Sequence, residues 1–141
     1  MKRILLLLLL CSTTLLMAQQ TDPIQEAMAS YDYETALSLI AQKKPATPLL
    51  LQKGKALRSL GLNAEALSTY QEIIGKDSTN TRALIEAAEC CRTLAKYKQA
   101  SAYYEKVLDL TPENKYVRIQ YINLLPVSYT HLRAHETDSY L

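Results

Sequence analysis

Residues 81–114 read TRALIEAAECCRTLAKYKQASAYYEKVLDLTPEN, and residues 47–80 before them read TPLLLQKGKALRSLGLNAEALSTYQEIIGKDSTN. Laid over one another without a gap, the two put Leu50 on Leu84, Gly54 on Ala88, Leu60 on Leu94, Ala66 on Ala100 and Tyr70 on Tyr104, with Lys76 on Leu110 as a mismatch. The matches fall on small and on large apolar positions, where helix packing discriminates most sharply among side chains. In the later stretch Leu84, Ala87, Ala88, Cys91 and Leu94 recur at the spacing of one helix face. After the Ala95–Lys96 turn, Tyr97, Ala100, Tyr104, Val107 and Leu108 form the facing stripe of a second helix. Thr111-Pro112 stops it, because proline cannot continue the hydrogen-bond ladder. In the earlier stretch Gly61 marks the turn, Ala66, Tyr70, Ile73 and Ile74 make the second stripe, and Asp77-Ser78-Thr79-Asn80 supplies turn and cap residues.

These residues resemble the tetratricopeptide repeat, a helix–turn–helix unit with a period of 34 residues. At its signature positions stand Gly54, Gly61, Asn63, Ala66, Tyr70 and Ser78 in one unit, and Ala88, Ala95, Tyr97, Ala100, Tyr104 and Pro112 in the next. Asn63 replaces an aromatic, Ser78 a proline, and Leu50 and Leu84 the usual tryptophan. The resemblance implies an all-α superhelix of stacked antiparallel helix pairs, with full units at 47–80 and 81–114. A short unit at 22–46 precedes them: Tyr33-Glu34-Thr35-Ala36 matches Tyr97-Lys98-Gln99-Ala100, Ile40 takes the aromatic position, and Ala36 stands 30 residues before Ala66 instead of 34. A partial unit at 115–125 follows and reads as cut short at its C-terminal end.

In that family, partners dock along the concave surface formed by the first helix of each unit. Carried onto this chain, the candidates are Leu51, Lys55, Arg58 and Ser59, then Arg82, Ile85, Glu89, Arg92 and Thr93, then Tyr116, Ile119 and Asn123. Such a mixed groove with a mild basic lean suits an extended or helical peptide held by a few apolar anchors and charge-assisted hydrogen bonds. A Lys and Asn clamp for a terminal carboxylate is not expected, since Leu51 and Ile85 stand where that clamp has polar donors.

Other function classes find little support. Residues 19–125 carry thirteen Lys and Arg against twelve Asp and Glu, interspersed, which argues against a nucleic-acid partner. There is no Gly-rich phosphate loop and no Ser, His and acid set, so no enzyme and no cofactor is expected. The pairs Glu86 with Glu89 and Asp109 with Glu113 have helical spacing and read as surface charge. Cys90 and Cys91, adjacent and without a histidine nearby, read as small apolar helix residues and not as metal ligands.

Both ends are set apart. Residues 1–18, MKRILLLLLLCSTTLLMA, have the basic start, apolar run and small final residue of a signal peptide, with cleavage expected after Ala18. A competing reading makes Cys11 a lipid attachment site with Leu8 three positions before it, although Leu10 fills a position that wants a small side chain. Another retains the leader as an anchor, and membrane contact is expected only in these two cases. At the other end, 126–141, PVSYTHLRAHETDSYL, back-translates to the end of a transposase-based sequencing-library adapter. It reads as a non-native tail, so His131, His135 and Glu136 receive no role. The expectation is a scaffold for protein or peptide partners, exported to the periplasm or cell envelope of a bacterium. The alternative is the sensory or linking part of a longer membrane-associated signalling or envelope-assembly protein.

Overall fold

The computed structural model describes residues 22–124. The leader with Cys11 and Ala18, and the tail with His131 and His135, lie outside them. The described chain is all helical: α1 Pro23–Ala29, α2 Tyr33–Ala41, α3 Thr47–Ser59, α4 Asn63–Lys76, α5 Thr81–Thr93, α6 Tyr97–Leu110, and α7 over 115–124. Helices consecutive in the chain make the main packing contacts, as in an array where each unit touches its neighbours.

Local chemistry sets the boundaries. Asp32 caps α2 by accepting from Thr35 N at 3.1 Å, and Asn80 caps α5 by accepting from Ala83 N at 3.1 Å. Asn114 does the same for Val117 N at 3.1 Å at the head of α7. Each cap satisfies an N-terminal amide that has no partner within its helix. Pro23 and Pro48 occupy first-turn positions, where a missing N–H costs nothing.

The three turns inside the helix pairs share one backbone device. Tyr31, Gly61 and Ala95 adopt positive φ of 62°, 79° and 56°. The next residue in each turn, Asp32, Leu62 and Lys96, donates its N–H back to Ala27, Leu57 and Cys91 at 2.9, 2.9 and 2.8 Å. This is the left-handed C-terminal cap of a helix. Its recurrence at Tyr31 places residues 23–41 in the same architectural series as the two longer pairs, despite their 30-residue offset.

The core follows the repeat. Ala66, Tyr70, Ile73, Leu84, Ala88, Ala100, Tyr104 and Val107 are fully or almost fully buried. Tyr70 lies directly on Gly54, where a Cβ would sit 2.4 Å from its Cζ, so only glycine admits the ring. Half-buried Tyr97 packs on the same core. Cys90 and Cys91 are buried and free, and burial raises the Cys90 thiol to about 11. Val117 and Leu124 seat α7, while Tyr116, Ile119 and Ile122 stay exposed. Among the described residues no helix is long and apolar enough to cross a membrane.

A candidate partner-binding groove

The first helices α1, α3 and α5 flank a continuous groove with two adjoining parts. One, about 620 Å³, is walled by Gln25, Met28 and Ala29 of α1 and by Pro48, Leu51 and Gln52 of α3. The other, about 520 Å³, runs between Arg58 and Ser59 at the end of α3 and Glu86 and Thr93 of α5. Lys55 and Arg82 border both parts. On α3, Leu51, Lys55 and Arg58 recur at the spacing that lines up one helix face.

The groove carries surplus positive charge. Arg58 is ion-paired across the groove with Glu86, joining α3 to α5. Burial pulls the guanidinium pKa down, but the Glu86 carboxylate outweighs that and leaves it raised. Among the described residues no carboxylate pairs with Lys55 or Arg82. Lys55 and Arg82 are both exposed residues. The walls therefore offer two unpaired cations and one neutralised pair beside the apolar Met28, Pro48 and Leu51.

Beneath the groove floor, the hydroxyl of Tyr70 is buried without a hydrogen-bond partner. Desolvation, reinforced by the nearby Glu86 charge, pushes its pKa well above the ordinary tyrosine value. The equivalent hydroxyl in the following unit is placed differently. Tyr104 donates to Glu89 Oε1 at 2.7 Å, and Tyr116 donates to the same oxygen at 3.0 Å. Arg92 closes the set by donating from Nε and Nη2 to Glu89 Oε2 at 3.2 and 2.8 Å. Burial alone would raise the Glu89 pKa, but the bonds from Arg92, Tyr104 and Tyr116 together hold it below the ordinary carboxylate value.

The candidates read from the sequence thus separate into groups. Leu51, Lys55, Arg58 and Arg82 come together on the groove, with Ser59 and Thr93 at its end. Arg92 and Asn123 line a smaller depression of about 310 Å³ together with Tyr97 and Gln120. Ile85 is half-buried and packs on the core, and Tyr116 and Ile119 are exposed on α7. Glu89 differs from its expected place on the partner surface. It is only 5% exposed, and its carboxylate is consumed by internal donors, which makes it a bracket joining α5, α6 and α7. The reading of Glu86 and Glu89 as plain surface charge is corrected with it, because one crosses the groove and the other is interior. Gln25, Met28 and Ala29 stand outside the sequence candidates, because the surface positions follow a 34-residue register that a unit offset by 30 residues does not keep. Among the described residues no group of three or more His, Cys, Asp and Glu lies together as a metal site would need.

The tetratricopeptide-repeat family model matches residues 81–114, the span of α5 and α6. Those residues are a tetratricopeptide repeat. The solved structures similar to this chain carry the same fold. The first TPR of Spaghetti (RPAP3), bound to an HSP90 peptide, is 20% identical with a TM-score of 0.70, over 76% of this chain and 88% of that one. The TPR domain of Arabidopsis OM64 is 18% identical with a TM-score of 0.67, over 73% and 88%. The Yersinia enterocolitica type III secretion chaperone SycD, in complex with a peptide of the translocator YopD, is 16% identical with a TM-score of 0.61, over 82% and 88%. No curated protein matches the chain in sequence. At these identities the likeness establishes the TPR fold, with groove chemistry to be read from this chain's own side chains.

Proposed function

We propose that the chain is a non-catalytic scaffold that holds a segment of a partner protein in the groove between α1, α3 and α5, and that the segment carries aliphatic anchors and acidic side chains. The observation that carries this reading is the pair of unpaired cations, Lys55 and Arg82, bordering both parts of a groove whose remaining walls include Met28, Pro48 and Leu51. A segment with carboxylates at these two cations gains charge-assisted hydrogen bonds, and one with aliphatic side chains covers the apolar wall. Two of the similar TPR structures hold peptides, which supports a peptide-sized occupant. The leader-like residues 1–18 support an exported protein working in the periplasm or cell envelope.

The test is fluorescence anisotropy with labelled ten-residue peptides that interleave Leu with Glu or Asp, against matched peptides carrying Lys in place of the acids. Saturable binding of the acidic series is expected, weakened at least tenfold by the double reversal Lys55→Glu, Arg82→Glu and weakened by salt. Equal binding of the basic series, or indifference to the double reversal, contradicts the proposal.

A further inference from the structure

A second cavity lies on the other side of α3, and its origin can be traced to three residues. With Ala36 aligned on Ala66 and Ala100, Ile40 falls where the later units have Tyr70 and Tyr104, and Lys43 falls where they have Ile73 and Val107. Those four side chains are fully buried in the later seams. In the first seam Ile40 is a smaller filler than tyrosine. Lys43 does not take the place of Ile73 and Val107: α2 has already ended at Ala41, and Lys43 lines the cavity with its ammonium turned to Asp22 Oδ1 at 3.3 Å. On the facing helix Lys53 stands where α5 has the fully buried Ala87, and it is exposed.

What remains between α2 and α3 is an open cavity of about 470 Å³, walled by Leu37, Ile40, Leu50 and Leu57 together with the exposed Lys43 and Lys53. At about 100° per residue, Leu50, Lys53 and Leu57 face away from the side of α3 that carries Leu51, Lys55 and Arg58, so this cavity is separate from the groove. Its size lies within the roughly 300–1,000 Å³ of small-molecule sites, which combine mainly apolar walls with a few polar groups. At roughly 30 Å³ per water-sized group, it takes on the order of fifteen such groups.

We propose that this cavity binds a single-chain alkyl carboxylate, with the alkyl chain along Leu37, Ile40, Leu50 and Leu57 and the carboxylate on Lys53. Charge complementarity selects an anionic head. Among the described residues no carboxylate pairs with Lys53, whereas Lys43 is already held by Asp22. The long, flexible lysine stem lets the ammonium meet the head at the water boundary while its methylenes extend the apolar wall.

Isothermal titration of the full chain with monomeric decanoate tests the assignment. One saturable site is expected, with decanol binding several-fold more weakly. Ala41→Trp, an exposed position on the cavity wall, blocks the space and is expected to weaken decanoate at least tenfold. Leu37→Trp, at a half-buried wall position on α2, is expected to weaken it as well, and gives an independent reading if the Ala41 variant does not fold. Lys53→Glu is expected to cost several-fold, while Lys55→Glu in the groove leaves decanoate affinity unchanged. Absence of a saturable site, or affinity untouched in a folded cavity-filling variant, overturns the cavity as the site. Affinity untouched by Lys53→Glu overturns the anionic ligand class.

Discussion

Truncation of Glu89 probes the most tightly organised polar cluster of the chain. In Glu89→Ala the buried Tyr104 hydroxyl loses its 2.7 Å acceptor, and an unpaired buried hydroxyl costs about 1–3 kcal/mol. Tyr116 and Arg92 are exposed enough to turn to water, so their share is small, under about 1 kcal/mol for the Arg92 ion pair. The void left by the side chain adds to this, for a total of about 2–4 kcal/mol. Glu89→Gln keeps an acceptor for Tyr104 but sets an amide donor against other donors, for about 1–2 kcal/mol. Urea unfolding followed by far-UV circular dichroism at neutral pH measures both. In a Tyr104→Phe background the orphaned hydroxyl no longer exists, so Glu89→Ala should cost about 1 kcal/mol less than in the parent. The pH dependence has a definite sign. Because the folded-state pKa of Glu89 is depressed below the ordinary 4.5, its stabilisation is present above that value and is lost as pH falls through the folded pKa. Glu89→Gln should flatten that part of the profile. A loss below about 0.5 kcal/mol for Glu89→Ala, or an equal loss with and without the Tyr104 hydroxyl, would refute the bracket.

Other substitutions have equally definite outcomes. Gly54→Ala brings a Cβ to 2.4 Å from Tyr70 Cζ and should destabilise by about 1–3 kcal/mol, whereas Gly75→Ala, with nothing within 4 Å, should stabilise by about 0.5–1 kcal/mol; thermal melts compare the two. Ala95→Gly relieves a side chain at φ 56° and should stabilise by roughly 0.5–1 kcal/mol in the same assay. Cys90, whose thiol burial raises to about 11, should resist iodoacetamide at pH 8 in the native protein and react once urea unfolds it, as read by peptide mass spectrometry.

Much of the fold was legible because it rests on residues that recur along the chain. The alignment of Gly54 with Ala88 and of Tyr70 with Tyr104 marks the close helix approaches, and Gly61 and Ala95 mark the turns. The turn before Tyr33 was legible from the helix that starts there, but its backbone was not, since a tyrosine at position 31 gives no hint of positive φ. The site was legible in part. Lys55, Arg58 and Arg82 stand where the family resemblance implies a partner surface, and they meet on the groove. Glu89 escaped the reading because its burial depends on Tyr104 and Tyr116, 15 and 27 residues away, closing over a position that local pattern leaves exposed. The Arg58–Glu86 pair spans 28 residues and has no local signature either. The second cavity depends on what Lys43 does not fill, which becomes visible only once α2 is seen to end at Ala41.

The groove reading is tested most directly by chemical-shift mapping of an acidic, Leu-containing peptide titrated into isotopically labelled protein. Perturbations clustered at Met28, Leu51, Lys55 and Arg82, and lost in the Lys55→Glu, Arg82→Glu variant, are the expected result. Perturbations confined to α6, or to the cavity between α2 and α3, would contradict it.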